Sequence, residues 1–126
     1  MGFRRRMIGL VVLGCTVGIV SSLSARDLHA HAPLGRTVRV WGSVNFTHHC
    51  STAIETTITV TQPPAHGSVS IRDEIVKQNS PDFGSCGGQS GRGKVVYYTR
   101  SSAGIDHFKY TSSSTAGAVD HDVTID

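Results

Sequence analysis

Long apolar runs are missing from this sequence. The longest stretch with few polar residues covers residues 7–20, and five of its 14 residues are Gly, Cys or Thr. A membrane-spanning helix needs about 20 predominantly apolar residues. The composition therefore argues against a permanent membrane anchor, and we expect no stable membrane insertion of the mature chain.

The same stretch is part of a layout that is typical of secretion signals. Three arginines, Arg4–Arg6, precede it, and a run of mostly small residues, 21–25, follows it. A cationic end, an apolar segment and a small-residue cleavage site are the three parts of a signal peptide. We therefore expect residues 1–25 to be a signal peptide and the mature chain to be periplasmic or secreted.

Excess charge is missing as well, once this leader is set aside. The sequence has 12 Lys and Arg against 9 Asp and Glu, but three of the arginines lie in the leader, so 9 remain on each side. Proteins are steered to nucleic acid by surplus positive charge, so we expect no nucleic-acid partner. The local basic cluster of Arg92, Lys94 and Arg100 fits a solvated strand face better than a phosphate-binding track.

Cysteine is scarce, and the leader contains one of the three. Cys50 and Cys86 are the two that remain, and in an oxidising compartment they are expected to form a disulfide. The bond closes a loop of 36 residues, for which chain entropy predicts about 3–4 kcal/mol of stabilisation. Because Cys50 directly follows His48 and His49, a metal-bound or catalytic thiol is the alternative.

Helical periodicity is absent from the rest of the chain, where apolar residues instead recur at every second position. The alternation is clear over residues 38–46, 54–60 and 119–125, and shorter apolar runs lie between them. Six or seven short strands separated by turns indicate an all-β antiparallel β-sandwich with one disulfide. We assign this domain to residues 36–126 and expect residues 26–35 to be a flexible lead-in.

Residues 79–93 are rich in glycine and turn-forming residues, which predicts a long loop that Cys86 ties to the segment near Cys50. Within it, residues 88–94 match the phosphate-loop pattern except that Val95 replaces the final Ser or Thr. That pattern needs a following helix, whereas a Tyr-rich strand is predicted here. The segment is therefore a candidate recognition loop and not a nucleotide site.

Two stretches resemble the immunoglobulin-like and cadherin-like domains of bacterial exported proteins, over about residues 63–117. Residues 63–69, PPAHGSV, are similar to the family's Pro-x-x-Gly-x-Val motif, and residues 98–110 contain its Tyr…Gly-x-Asp-x-Phe-x-Tyr signature. Arg100 stands where the family usually has Pro. The resemblance implies an immunoglobulin-like sandwich with turns at Gly67 and Gly104. In it, Asp106 would be a turn-capping carboxylate, and Phe108 and Tyr110 would be core aromatics.

Histidine is the one residue type in unusual supply, with seven in the mature chain. Neutral imidazole is the commonest metal ligand, so a periplasmic copper- or zinc-binding protein is the alternative function. Its candidate ligands are His48, His66, His107 and His121.

No nucleophile motif of the Gly-x-Ser-x-Gly kind occurs, and no other pattern specifies catalysis. We therefore expect a protein that is not an enzyme and that needs no cofactor. The favoured function is an exported binding or structural domain that contacts an unknown protein or cell-surface partner through its sandwich loops or a sheet edge.

Overall fold

The structure is a computed structural model that describes residues 25–46, 50, 53–78, 86–115 and 117–126. This part of the chain contains nine strands and no α-helix, and therefore no helix that could cross a membrane. The strands are β1 (Ala25–Ala30), β2 (Thr37–Ser43), β3 (Asn45–Phe46), β4 (Ala53–Ile54), β5 (Thr57–Gln62), β6 (Gly67–Lys77), β7 (Ser90–Arg100), β8 (Asp106–Ser114) and β9 (Gly117–Ile125).

The strands form two principal sheets and one short hairpin-like pair. The first sheet has the order β1-β9-β8-β5, the second has the order β2-β7-β6, and β3 pairs with β4 alone. The β1–β9 pairing is parallel, and every other pairing of these strands is antiparallel. Seven strands therefore build the two principal sheets, which agrees with the predicted number.

The two sheets pack on each other through the alternating apolar side chains that the sequence displays. On β8, Phe108 and Tyr110 are fully buried, while His107 and Lys109, which alternate with them, are exposed. The same alternation on β7 and β9 completes a core from both sheets, whose buried members are Ala32, Val96, Tyr98, Phe108, Tyr110, Val123 and Ile125. Since one cluster joins both sheets, the fold is a small β-sandwich.

A second, smaller apolar cluster lies on the other face of β7. Val95 is fully buried against Val44 and Val76, and the short β3–β4 segment covers them with Phe46 and Ala53. We call residues 44–54 the flap, of which 47–49, 51 and 52 lie outside the described residues. The flap is a third partial layer outside the sandwich.

The predicted disulfide is present between Cys50 in the flap and Cys86 at the turn before β7, with a Cα–Cα distance of 5.4 Å. The all-β fold and this bond confirm the sequence prediction. The disulfide ties the flap to the end of the β6–β7 hairpin and does not join the two sheets.

Two boundary predictions were wrong. Ala25–Ala30 form strand β1 on the edge of the first sheet, so the first half of the expected flexible lead-in, 26–35, is ordered by pairing with β9. The expected loop at 79–93 is shorter, because Ser90 already pairs with Lys77 in an unbroken β6–β7 ladder. Residues 1–24 of the expected signal peptide, and 79–85 of the loop, lie outside the described residues.

Candidate functional site

A cleft of about 310 Å³ lies between the flap side of the molecule and the β6–β7 hairpin. One wall comes from β4 and the residues that follow it, and the other comes from the two hairpin strands. The lining residues are Ala53, Ile54, Glu55, Thr56, Asp73, Arg92, Gly93 and Lys94. Half of these side chains are charged, two of each sign, so the cleft is polar and formally neutral.

The hairpin register places the three charged hairpin residues of the cleft, Asp73, Arg92 and Lys94, on one face. Asp73 is opposite Lys94, and Ile75 is opposite Arg92, two positions further along each strand. Lys94 donates a hydrogen bond to Asp73, and this bond lowers the pKa of Asp73 although burial opposes the shift. The Asp73–Lys94 pair is thereby fixed, while the exposed Arg92 and Glu55 face the solvent in the same cleft.

Hydrogen bonds from both sides hold the flap wall of the cleft in place. The buried Gln78 donates from Nε2 to the carbonyl oxygen of Val44 over 2.8 Å. Asn45 donates from Nδ2 to the hydroxyl of Thr56 over 3.0 Å, and Thr56 itself is buried. Together with the disulfide, these bonds anchor the described residues of the flap wall, and an anchored wall is suited to recognition by shape.

The sequence-predicted basic cluster is split between the two ends of β7. Arg92 and Lys94 line the cleft, but Arg100 is 4% exposed, so the expected solvated face is wrong for that residue. Its guanidinium donates to four carbonyl oxygens, those of Ala32 (2.6 Å), Ser102 (3.0 Å), Gly104 and Ile125 (3.4 Å). Arg100 is a structural residue that joins the ends of distant strands.

Asp106, the first residue of β8, organises the backbone around it, at the end of β7 where Arg100 lies. Its carboxylate is 1% exposed and accepts hydrogen bonds from the backbone N–H groups of Ala65 (2.8 Å), His66 (2.9 Å) and His107 (3.0 Å). Burial by itself would raise the pKa of Asp106, but these bonds and the Tyr98 phenol lower it overall. The carboxylate therefore holds the Ala65–His66 segment before β6 against the start of β8.

The two glycines named from the resemblance are at close approaches or turns. Gly67 begins β6 and lies against the ring of Tyr98 and the carbonyl of Thr99, where a Cβ atom has no room. Gly104 lies in the turn before β8 with a φ of 120°, a conformation that side chains disfavour.

Three of the four predicted metal ligands are among the described residues, and each of them lies in a different environment. The Nδ1 atom of His66 is 2.9 Å from the Ser102 hydroxyl, and that of the exposed His107 is 3.2 Å from the Thr124 hydroxyl. His121 faces the core, and His48 lies outside the described residues. No group of three or more His, Cys, Asp or Glu that could hold a metal occurs in the described ranges.

His121, which the sequence offered as a candidate metal ligand, is 2% exposed and lies in the core. Its ring stacks on Tyr110 with a centroid distance of 4.4 Å and lies 5.0 Å from Trp41. Its Nε2 atom is 3.0 Å from the Ser112 hydroxyl. Burial lowers the pKa of His121, and the positive charge of Arg26 lowers it further, so the neutral imidazole is a core residue.

The Ser112–His121 pair superficially resembles a nucleophile and its base. Ser112 is 9% exposed and His121 is 2% exposed, so the serine hydroxyl lies between the sheets and not at a surface. We therefore interpret the pair as a polar contact within the core, in which Nε2 of His121 has a partner and Nδ1 has none among the described residues.

Sequence reasoning missed two of the four charged residues of the cleft, Glu55 and Asp73. The available signal was the run of three charged residues 72–74, whose central member Asp73 lies opposite Lys94 when the two segments are aligned as a hairpin. Comparison with protein-family models, curated proteins and solved structures finds no match to the chain.

Proposed function

We propose that this chain is an exported, non-enzymatic binding domain with an immunoglobulin-like sandwich, which acts in the periplasm or outside the cell. The leader pattern and the Cys50–Cys86 disulfide support export, since disulfides persist in oxidising compartments. The strand order and the cleft support the remaining parts of the proposal.

The order of strands supports the immunoglobulin-like assignment. In such sandwiches the second, fifth and fourth strands form one sheet, and the third, sixth and seventh form the other. With β3 and β4 set aside as the flap, β2-β7-β6 and β5-β8-β9 have these two orders. Two features differ from the antibody pattern: β1 joins β9 in parallel, and the disulfide holds the flap instead of bridging the sheets.

The observation that carries the binding role is the cleft between the flap and the β6–β7 hairpin. It combines a disulfide-fixed wall with two solvent-facing charges of opposite sign, Glu55 and Arg92. A partner surface that presents one acidic and one basic group would be complementary to it. Recognition on the loops and ends of a rigid sandwich is the usual arrangement for such folds.

The test is site-specific photo-crosslinking in the native exported fraction. A photoreactive residue in place of Arg92 should capture a discrete partner, and Arg92→Glu should weaken binding of that partner at least tenfold (about 1.4 kcal/mol or more). The matched control is Lys109, an exposed basic residue of β8 on the outer face of the first sheet. Equal capture from both positions, or unchanged binding by Arg92→Glu, would reject the cleft as the binding surface.

Export itself is tested by the mass of the protein recovered outside the cytoplasm. The proposal requires a chain shortened at about residue 25 and two thiols that resist alkylation. Full-length protein in the cytosol with Cys50 and Cys86 both alkylated would contradict it.

A further inference from the structure

The two principal sheets have four edge strands, and one of them differs from the rest. Proteins protect sheet edges against pairing with another chain by charged side chains, proline, or coverage by other segments. β1, β2 and β6 carry such charges, namely Arg26 and Asp27, then Arg39, then Arg72, Asp73, Glu74 and Lys77. Strand β5, with the sequence TITVTQ, carries none.

The absence of charge extends beyond β5 itself. No Asp, Glu, Lys or Arg occurs from Thr56 to Ile71. Five of the six β5 residues are β-branched, and this residue type fits a pleated strand surface best. The segment is therefore intrinsically suited to pairing and carries no charge that would repel an identical segment.

The outer edge of β5 is also accessible. β5 pairs with β8 on one side, and no other described strand pairs with it. Five of its six residues are exposed, including Val60 at 37%. In an antiparallel ladder, alternate residues direct their N–H and C=O groups to each side, so the outer side presents hydrogen-bonding groups to solvent.

We infer that this edge is a self-association surface, on which β5 of a second copy of the chain pairs with β5 in antiparallel orientation. A twofold axis through Thr59 places Thr59 opposite its own copy and Ile58 opposite Val60 of the second copy, within the regular part of β5 that ends at the bulge between Val60 and Gln62. Aliphatic side chains then face aliphatic ones on one side of the sheet, and hydroxyls face hydroxyls on the other. Such cross-strand pairs stabilise sheets, whereas facing like charges destabilise them.

The uncharged edge also decides between occupants. A charged peptide would find no complementary charge on β5, while a second copy matches its neutral, β-branched surface over the regular segment before the bulge. Closed twofold pairing of identical surfaces is the commonest form of protein oligomer. The product is a continuous eight-stranded sheet with the order β1-β9-β8-β5-β5-β8-β9-β1.

The experiment is sedimentation velocity on the purified chain with its disulfide formed, and it involves no other partner. The wild-type chain should show a concentration-dependent monomer–dimer equilibrium. Thr59→Lys places two ammonium groups face to face at the twofold axis and should weaken the dimer at least about tenfold. The control Ser70→Lys adds the same charge at an exposed position of edge strand β6 and should leave the dimer intact.

A covalent readout covers the case in which the lysine variant folds poorly. Facing residues of an antiparallel pair have Cα atoms about 4.5–5.5 Å apart, which suits a disulfide. Thr59→Cys should therefore crosslink to its own copy, and Ser70→Cys should not. A chain that stays monomeric, a dimer unaffected by Thr59→Lys, or a monomer whose β5 edge takes up a different peptide strand would each overturn the inference.

Discussion

The phenol of Tyr98 donates a 2.6 Å hydrogen bond to the carboxylate of Asp106, and both groups are buried. Burial and this bond raise the pKa of Tyr98 to about 12, so the phenol stays protonated as the donor. The bond joins the second sheet to the turn that begins β8, where Asp106 also holds the backbone of Ala65 and His66.

Removing this carboxylate should be costly. Asp106→Ala leaves several donors without their acceptor, and each unsatisfied buried donor costs about 1–3 kcal/mol, so we expect the free energy of unfolding to fall by at least about 3 kcal/mol. Urea unfolding followed by far-UV circular dichroism measures it. A double-mutant cycle with Tyr98→Phe should give a coupling energy of about 1–3 kcal/mol, and additive losses would contradict the direct bond.

Phe108 is the second test of the core. The ring is fully buried and lies 5.9 Å from the ring of Tyr98 and 6.1 Å from that of Tyr110. Truncation in Phe108→Ala removes these contacts and leaves a cavity, which should cost about 3–5 kcal/mol. The control Ile105→Ala alters a side chain that is 66% exposed and should change stability by about 0.5 kcal/mol or less. A loss below about 1 kcal/mol for Phe108→Ala would place the ring at the surface.

His121 should make the protein less stable in mild acid. Its pKa is lowered below the ordinary 6.5 in the folded state, chiefly by burial. The unfolded chain therefore takes up a proton near pH 6.5, whereas His121 of the folded chain stays neutral at that pH. The free energy of unfolding falls as the pH decreases from about 6.5 towards the lowered folded pKa. Equilibrium unfolding between neutral pH and pH 5 should show this slope.

The variant His121→Phe should flatten the slope because it removes the titrating ring. Val123→Ala, a core truncation on the same strand, should lower stability at every pH and keep the wild-type slope. A His121→Phe protein with an unchanged slope would show that another group is responsible for the acid sensitivity.

The disulfide should stabilise the whole domain through the flap. It closes a separation of 36 residues, and the chain-entropy estimate for such a loop is about 3–4 kcal/mol. The paired variant Cys50→Ser, Cys86→Ser should lose about this amount, and amide exchange at Val95 and Val76 should accelerate as the flap loosens. An unchanged unfolding midpoint would mean that the bond contributes nothing to stability.

Much of the fold could be predicted because strand formation and the facing of side chains follow local alternation. The alternation over Phe108, Tyr110 and Val123 determines which side chains enter the core. The ends of the strands were harder, since Ser90–Gly93 contain two glycines that favour a loop by propensity. They form a strand because the partner residues Glu74–Lys77 continue the ladder, and this pairing is tertiary information.

The candidate site was only partly predictable for the same reason. Arg92 and Lys94 were visible as a basic pair in the sequence, but the opposing wall comes from Glu55 and Thr56, which the flap and the disulfide bring near. The cleft exists only when these segments meet, so no single stretch of sequence specifies it.

The sequence by itself determined the all-β class, the pairing of Cys50 with Cys86 and the inward faces of β8 and β9, because these depend on short-range periodicity and on residue chemistry. The inward face of β2 was predicted wrongly beyond Val40, because a bulge between Arg39 and Trp41 turns Trp41 into the core. Only the tertiary structure decided the environments of Arg100 and His121. A buried guanidinium is tolerated only where carbonyl oxygens converge on it, and those that surround Arg100 come from segments as distant as Ala32 and Ile125. Likewise, a histidine enters the core only if aromatic rings and a hydroxyl from other strands receive it, as Tyr110, Trp41 and Ser112 receive His121.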